Sequence, residues 1–214
     1  SAKMATATQD ATMQIFSGDI GDAQDVVPLA VVPVKSSLNF TILGSTVLPS
    51  VVTGKKTVSI PRNRIFTVRW SGTRYLSGVD GVISLTHTST TKKYRYGQMQ
   101  FKAVKDATLG YRIEVTNSVR LSDEYLWGIS EVPSSWPEAA LQAQAIASRT
   151  YAISKAGIYR TACDCDLYGE ISDQSFLGYA KEIEKGWGKF WKAAVTNTAG
   201  LTITQAGAPI TAYF

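Results

Sequence analysis

The sequence predicts an α+β fold, with an antiparallel β-rich N-terminal region, a sheet or a small barrel, packed against a helical region. Apolar and polar residues alternate in short runs from residue 35 to about 119, which is typical of half-buried strands. After Asp123 the rhythm changes to helical spacing. The chain of 214 residues is 44% hydrophobic and 18% charged, so it has enough apolar material for a real core.

Residues 1–34 carry no readable pattern, and the sequence leaves open whether they form a flexible arm or pack along the sheet. The β-rich region follows over residues 35–119, with turn-forming pairs such as Asp80-Gly81 between its strands. Its candidate strands are residues 36–43, 56–60, 65–70, 81–87, 98–103 and 111–116.

The helical region, residues 120–214, contains a predicted helix over residues 137–156, rich in Ala, Leu and Gln. Ser135, followed by Trp136-Pro137-Glu138, predicts a capping box at its start, and Gly157 supplies a stop. One face carries Leu141, Ala145, Ser148 and Ala152. A second helical stretch is predicted over residues 178–194, and a closing hairpin from residues 201–203 and 210–213 around Gly207.

The charge balance favours anionic surroundings. Twenty-two Lys and Arg against 17 Asp and Glu give a net charge of +5, which suits nucleic acid, acidic lipid or an anionic wall polymer. The densest basic clusters, residues 92–95 and 181–192, are interleaved with Tyr or Glu, so the simplest interpretation is a solvated surface. We expect no membrane span, because the longest apolar run, residues 26–34, contains two prolines and falls short of the roughly 20 residues required.

Two chemistries find no support in the sequence. No glycine-rich loop with the spacing of a nucleotide phosphate site occurs. His87 is the single histidine, and it lies among Ser and Thr in a predicted strand, which argues against a Ser-His-Asp or Cys-His hydrolase.

Glu131 is the candidate catalytic residue. It stands at the end of an apolar segment, before Pro133 and the predicted helix. Apolar neighbours such as Trp127 and Val132 would favour the neutral carboxyl form, which can donate a proton near neutral pH, as cleavage of an acetal requires. The spacing leaves open a second interpretation, in which Glu131 interacts only with the helix dipole.

A series of motifs gives a more specific indication, and together they resemble the SpoIID/LytB domain family, that of stage II sporulation protein D. The resemblance covers residues 104–214 well and the upstream strands more loosely, and QAQAIASRTYA is its most diagnostic part. In chain order the motifs are YLWGISEVPSSWP, EAALQAQAIASRTYA, a Cys/Asp loop, DQSFLGY, AVTNTAGLTIT and PITAYF. Members of the family continue past the pair matching Tyr213-Phe214, so the resemblance implies a core truncated at its C-terminus.

Members include lytic transglycosylases that act on bacterial peptidoglycan, particularly on strands stripped of stem peptides, and enhancers of wall amidases. The resemblance implies that Glu131 protonates the oxygen between N-acetylmuramic acid and N-acetylglucosamine. Glu131 would then take the proton of the muramic 6-hydroxyl, which attacks its own anomeric carbon and leaves a 1,6-anhydro end without water.

Four residues are expected to bind substrate, three of them from the resemblance, and each has an ordinary alternative. Gln144, Arg149 and Tyr151 match the family helix and are expected to line the cleft. Their alternatives are a backbone bond for Gln144, an acidic partner for Arg149 and core packing for Tyr151. Trp136 is expected to stack on a sugar ring, with buried packing as its alternative.

No cofactor is expected, and zinc is disfavoured. Metal-binding members use a loop histidine and two widely spaced cysteines. Here Cys165 matches the first cysteine, Asp173 falls where the second belongs, and His87 lies far upstream. A Cys163–Cys165 disulfide and two free thiols are the remaining alternatives.

The resemblance therefore predicts a secreted enzyme associated with the cell wall. Its expected partners are peptidoglycan glycan strands and a wall amidase or another wall hydrolase, with no nucleic acid. A non-catalytic amidase enhancer is the alternative function, and a plain carbohydrate-binding module is a weaker one.

Overall fold

The computed structural model describes residues 3–6, 12–22, 29–32, 38–42, 45–47, 65–87, 90–106, 110–158, 160–161 and 165–214. The chain divides into two compact units, Phe16–Ser118 and the combination of Ser1–Ile15 with Val119–Phe214. We call the first the strand unit and the second the helical unit. The division predicted from the sequence, at residues 34 and 119, stays a prediction.

The strands are β1 (Lys3–Thr6), β2 (Thr12–Asp22), β3 (Leu29–Val32), β4 (Leu38–Ile42), β5 (Ser45–Val47), β6 (Ile65–Trp70), β7 (Val82–His87), β8 (Thr90–Tyr94), β9 (Gln98–Asp106), β10 (Gly110–Arg120), β11 (Leu167–Tyr168), β12 (Leu201–Gln205) and β13 (Ala208–Pro209). The helices are a π-helical turn (Leu121–Tyr125), α1 (Glu138–Lys155), α2 (Tyr179–Glu182), a 3-10 turn (Glu184–Gly186) and α3 (Gly188–Asn197).

The strand unit is antiparallel sheet. Strands β2, β10, β9, β6, β4 and β5 lie side by side in that order, and β3, β7 and β8 form a separate sheet. Phe66 of β6 is opposite Phe101 of β9, and their rings are 6.1 Å apart in the core. The indole of Trp70 is fully buried and donates to the carbonyl of Arg95 at 2.9 Å, which satisfies its N–H group.

The predicted strands agree with the two sheets of this unit where they are described. The strand predicted at residues 65–70 coincides with β6, and those at 36–43, 81–87, 98–103 and 111–116 overlap β4, β7, β9 and β10. The strand predicted at 56–60 lies outside the described residues. With helices in the C-terminal region, the α+β fold class is confirmed.

The helical unit is centred on α1, which packs against α3 and β12. The predicted inward face of α1 is buried, since Leu141, Ala145, Ser148 and Ala152 are all inaccessible to solvent. Strand β12 lies between β1 and β13. Among the described residues, no helix is both long and apolar enough to span a membrane.

The predicted capping box at Ser135 is wrong. Helix α1 begins at Glu138, and its N-cap is Pro137, which has extended backbone angles and makes no side-chain capping bond. Because the helix starts directly after the proline, Ser135 lies two residues before the cap, too early to bond the first helical amides.

Two further element boundaries differ from prediction. The stretch predicted as one helix over residues 178–194 is broken because Lys185 and Gly186 have positive φ angles, 44° and 76°. The hairpin turn falls on Ala206 and Gly207, both with positive φ, as in a two-residue turn. That turn fixes the register, so the second strand is Ala208–Pro209 and not residues 210–213.

Candidate functional site

A short antiparallel pairing carries Glu131 and is formed by residues 128–131 and 175–177; we call it the Glu131 ladder. The amide of Ser130 donates to the carbonyl of Ser175 at 2.8 Å, and the amide of Leu177 donates to the carbonyl of Gly128 at 2.8 Å. Ile129 lies opposite Phe176 between these bonds. The ladder therefore brings Glu131 beside Ser175, which is 44 residues later in the chain.

Gly128 allows the two sides of the ladder to meet. A Cβ atom at this position would overlap the ring of Phe176, closer than side chains approach in real proteins. That ring in turn stacks on Tyr125, with centroids 5.7 Å apart. The glycine is thus required by close approach of an aromatic ring, and not by its own backbone angles.

Gly128→Ala is expected to destabilise the protein by about 1–3 kcal/mol, because the added methyl group must displace Phe176 from a packed ring pair. Thermal or denaturant unfolding measures the change. Gly157→Ala serves as the comparison without a steric overlap, since no described atom lies within 4 Å of a Cβ at that position. Its φ of +81° adds backbone strain, which Gly128→Ala does not have. A Gly128→Ala protein as stable as the wild type would contradict the packing described.

The carboxylate of Glu131 is half-buried and is held on one side. Its Oε1 atom accepts a hydrogen bond from the backbone amide of Ser175 at 2.6 Å. The described part of the chain makes no other hydrogen bond to this carboxylate. Ile129 and Val132 are buried on either side of Glu131. A partly exposed carboxylate with one oxygen held by a backbone amide suits a group that exchanges a proton with a ligand.

Tyr125 is fully buried and lies close enough to Glu131 to feel its charge. Its hydroxyl donates to the side-chain oxygen of Gln174 at 2.6 Å, and Gln174 is itself inaccessible to solvent. Burial raises the pKa of Tyr125 well above its ordinary 10.0, and the nearby acids Asp173 and Glu131 raise it further. Tyr125 therefore stays protonated and acts as a hydrogen-bond donor, not as a base.

Asp173 is the most heavily bonded acid of this region. Its carboxylate accepts two bonds from the guanidinium of Arg160, at 2.6 and 2.8 Å, and one from the hydroxyl of Tyr151 at 2.8 Å. The amide of Tyr168 donates a fourth at 2.8 Å. Burial raises the pKa of Asp173, but the bonds from Arg160, Tyr168 and Tyr151 outweigh it, so the pKa lies below its ordinary 3.8. Asp173 is therefore ionised near neutral pH.

The segment after Glu131 is anchored by a buried cation. Lys181 is 1% exposed, and its ammonium donates to the carbonyl of Val132 at 2.6 Å and to Glu184 at 2.7 Å. Glu184 also accepts a bond from the hydroxyl of Ser134 at 2.6 Å. The interpretation of residues 181–192 as a solvated surface is thus wrong for Lys181, because a carboxylate and a carbonyl replace its water.

The predicted substrate-binding residues differ from one another in burial and in the contacts that they make. Tyr151 is buried, bonds Asp173, and meets the rings of Tyr213 and Phe214 edge-on at 6.3 and 6.4 Å. Gln144 donates to the hydroxyl of Ser148 at 3.1 Å, within α1. Trp136 is 49% exposed.

Arg149 lies in the interior of the helical unit, 1% exposed. Its guanidinium donates to the carbonyls of Leu201 at 3.0 Å and Val195 at 3.1 Å, and burial lowers its pKa to about 10. These bonds tie α1 to α3 and β12. The substrate-binding roles of Arg149, Gln144, Tyr151 and Trp136 stay predictions.

The site also contains residues for which the sequence alone predicts no role. Tyr125, Gln174 and Ser175 lie next to Glu131 or bond its neighbours, and Asp173 joins Tyr151 to them. The signal was present in the motif DQSFLGY, which contains three of these residues. The motif gives the order of these residues along the chain, but it does not show which residues they form hydrogen bonds with.

The donor set near Asp173 does not fit a zinc ion. Both Asp173 oxygens already accept hydrogen bonds, two of them from a cationic guanidinium, which repels a metal ion. Cys165 is buried and disulfide-bonded, whereas Cys163 lies outside the described residues. Among the described residues, no group of three or more His, Cys, Asp or Glu side chains is placed to hold a metal.

Comparison with known proteins gives one family. Residues 110–205 match the model of SpoIID, described as stage II sporulation protein, and this segment includes Glu131 and Asp173. The chain matches no curated protein and no solved structure at a significant level. The resemblance predicted from the motifs is thus confirmed by the match of residues 110–205 to the SpoIID family model, which supports a function related to sporulation and the cell wall.

Proposed function

We propose that this protein is a lytic transglycosylase of peptidoglycan, with Glu131 as its single acid and base. Its substrate is the bond between N-acetylmuramic acid and N-acetylglucosamine in glycan strands. The observation that carries the proposal is the half-buried Glu131 carboxylate within the segment that matches SpoIID, with Oε1 held by the amide of Ser175 and no other hydrogen bond to it from the described residues.

In the first half of the proposed reaction, protonated Glu131 donates its proton to the glycosidic oxygen. The bond between that oxygen and the muramic anomeric carbon breaks, and its electron pair leaves with the oxygen. The anomeric carbon becomes positively charged in character, opposite a carboxylate that has just become negative. The amide of Ser175 donates to that carboxylate, so its new charge is stabilised without rearrangement.

In the second half, the 6-hydroxyl of the same muramic residue attacks the anomeric carbon. Glu131 takes the hydroxyl proton and returns to its starting form, and the product is a 1,6-anhydro ring. Ordinary glycoside hydrolases need a second carboxylate to bind or activate a nucleophile. Asp173 does not suit that task, because its side chain is 2% exposed and both oxygens are engaged by Arg160.

Exposed aromatic side chains offer surfaces for the sugar rings. Trp136 follows Glu131 by five positions, and Tyr213 and Phe214 contact Tyr151 and are largely exposed. Aromatic faces pack well on the apolar faces of pyranose rings. The net charge of +5 suits an anionic wall polymer, and we expect the protein to act outside the cell, with a wall amidase or another wall hydrolase as partner.

The test is digestion of purified glycan strands, with and without stem peptides, followed by mass spectrometry of the released fragments. The proposal predicts fragments with 1,6-anhydro muramic ends. Fragments with reducing ends would indicate hydrolysis instead. Release of fragments only when a wall amidase is added, together with a faster amidase reaction, would favour the non-catalytic enhancer.

A further inference from the structure

Three consecutive residues connect Glu131 to the rest of the helical unit. Asp173 is bound by Arg160, Tyr151 and Tyr168, and Gln174 accepts the hydroxyl of Tyr125. Ser175 donates its amide to Glu131. The Glu131 ladder holds Ser175 at its carbonyl, and the two residues before it, whose side chains are bonded to other elements of the unit, hold the chain that leads to its amide.

We propose that Asp173 and Arg160 form a metal-free clamp that positions Glu131 through the amide of Ser175. Asp173 is a positioning residue here, because its hydrogen bonds go to Arg160, Tyr151 and Tyr168 and it acts on Glu131 through the backbone two residues later. For its effect on catalysis, this inference rests on the proposed function of Glu131.

The donors around Asp173 explain why the clamp holds. A guanidinium that gives two parallel bonds to one carboxylate fixes orientation as well as distance. The hydroxyl of Tyr151 adds a contact from α1, and the amide of Tyr168 adds one from β11. Asp173 thus joins three separate pieces of chain with one side chain. In metal-binding members that this sequence resembles, a zinc ligand falls at the position of Asp173; here an ion pair takes that place.

The substitution Asp173→Asn removes the negative charge of the clamp with almost no change in side-chain volume. In Asp173→Asn, one acceptor oxygen becomes an NH2 group that faces an N–H of Arg160 and, depending on which oxygen is replaced, the hydroxyl of Tyr151 or the amide of Tyr168. Two donors cannot bond each other, so the side chain must turn or the segment must shift. Either movement releases the backbone that carries Ser175.

Amide hydrogen exchange measured by NMR tests the clamp directly on the full chain. Ser175 is expected to exchange at least about 10-fold faster in Asp173→Asn than in the wild type, while amides of α3 keep their rates. Glu131→Ala, which removes the acceptor itself, gives the expected size of the effect. Glu170→Gln is the matched control, because Glu170 is an exposed acid of the same loop and should leave Ser175 unchanged.

Kinetics supply the second readout. Asp173→Asn is expected to lower kcat of glycan cleavage at least about 10-fold with little change in KM, since the residue orients Glu131 and does not contact the glycan. Arg160→Lys keeps the charge but loses the two parallel bonds, so a smaller effect in the same direction is expected. It also keeps the test informative if Asp173→Asn does not fold, because the Arg160 side chain is 28% exposed.

The clamp is overturned if Ser175 keeps its wild-type exchange rate in Asp173→Asn and Arg160→Lys. It is also overturned if a chelator such as EDTA releases the Ser175 amide in the wild type, since a metal would then hold the loop. If the variants release Ser175 but the wild type cleaves no glycan, the clamp stands and the proposed transglycosylase activity fails.

Discussion

Glu131→Gln is expected to lower the rate of glycan cleavage by about 10²–10⁴-fold or more, because an amide can neither donate nor accept the proton that both halves of the proposed reaction require. The fold should be retained. Glutamine has the shape of glutamate, and its side-chain oxygen can still accept the amide of Ser175. The rate is measured from the release of 1,6-anhydro ends at equal protein concentration, with the unfolding temperature as a check on structure.

Glu138→Gln is the matched control for this result. Glu138 is an exposed acid in the first turn of α1, seven residues after Glu131, and among the described residues its side chain accepts a bond from Gln142 alone. Its replacement should leave cleavage unchanged. A Glu131→Gln protein with wild-type activity would place the proton transfer on another group.

Arg149→Ala is expected to destabilise the protein by about 3–5 kcal/mol, the largest stability effect that the structure predicts. The guanidinium is buried and donates to the carbonyls of Leu201 and Val195, so its removal leaves both carbonyls and a cavity in the interior. Arg149→Lys should recover part of this loss, because one ammonium can reach at most some of the same acceptors. Denaturant unfolding measures both changes.

Lys189→Ala is a control for loss of a surface cation, since Lys189 is exposed on α3 and lies over the ring of Phe190. Its expected effect is within about 0.5 kcal/mol. If Arg149→Ala were as stable as the wild type and instead bound glycan more weakly, Arg149 would belong to the cleft, as the motif resemblance implied.

The sequence was informative wherever structure depends on local pattern. The bounds of β6 and the buried face of α1 follow from residue spacing alone, since periods of two and 3.6 residues specify which side chains face the core. It was misleading where one backbone angle decides the outcome. Lys185 adopts a positive φ in the middle of the second helical stretch, and the backbone preferences of lysine do not predict this angle.

In the candidate site too, some residues could be predicted from the sequence and others could not. Glu131 could be singled out because its residue type and its place in the motif both point to acid chemistry. Ser175 could not, because it contributes a backbone amide, and any residue except proline offers one. The burial of Lys181 depends on Val132, 49 residues away, so it is a property of the folded chain and not of the charge pattern.

Cleavage of purified glycan strands in water enriched in the heavy isotope of oxygen tests the central claim most directly. If Glu131 passes one proton out and back while the muramic 6-hydroxyl closes the ring, the new ends are anhydro sugars that contain no heavy oxygen, and Glu131→Gln produces none. New reducing ends that carry the heavy isotope would contradict this account, because water would then be the nucleophile.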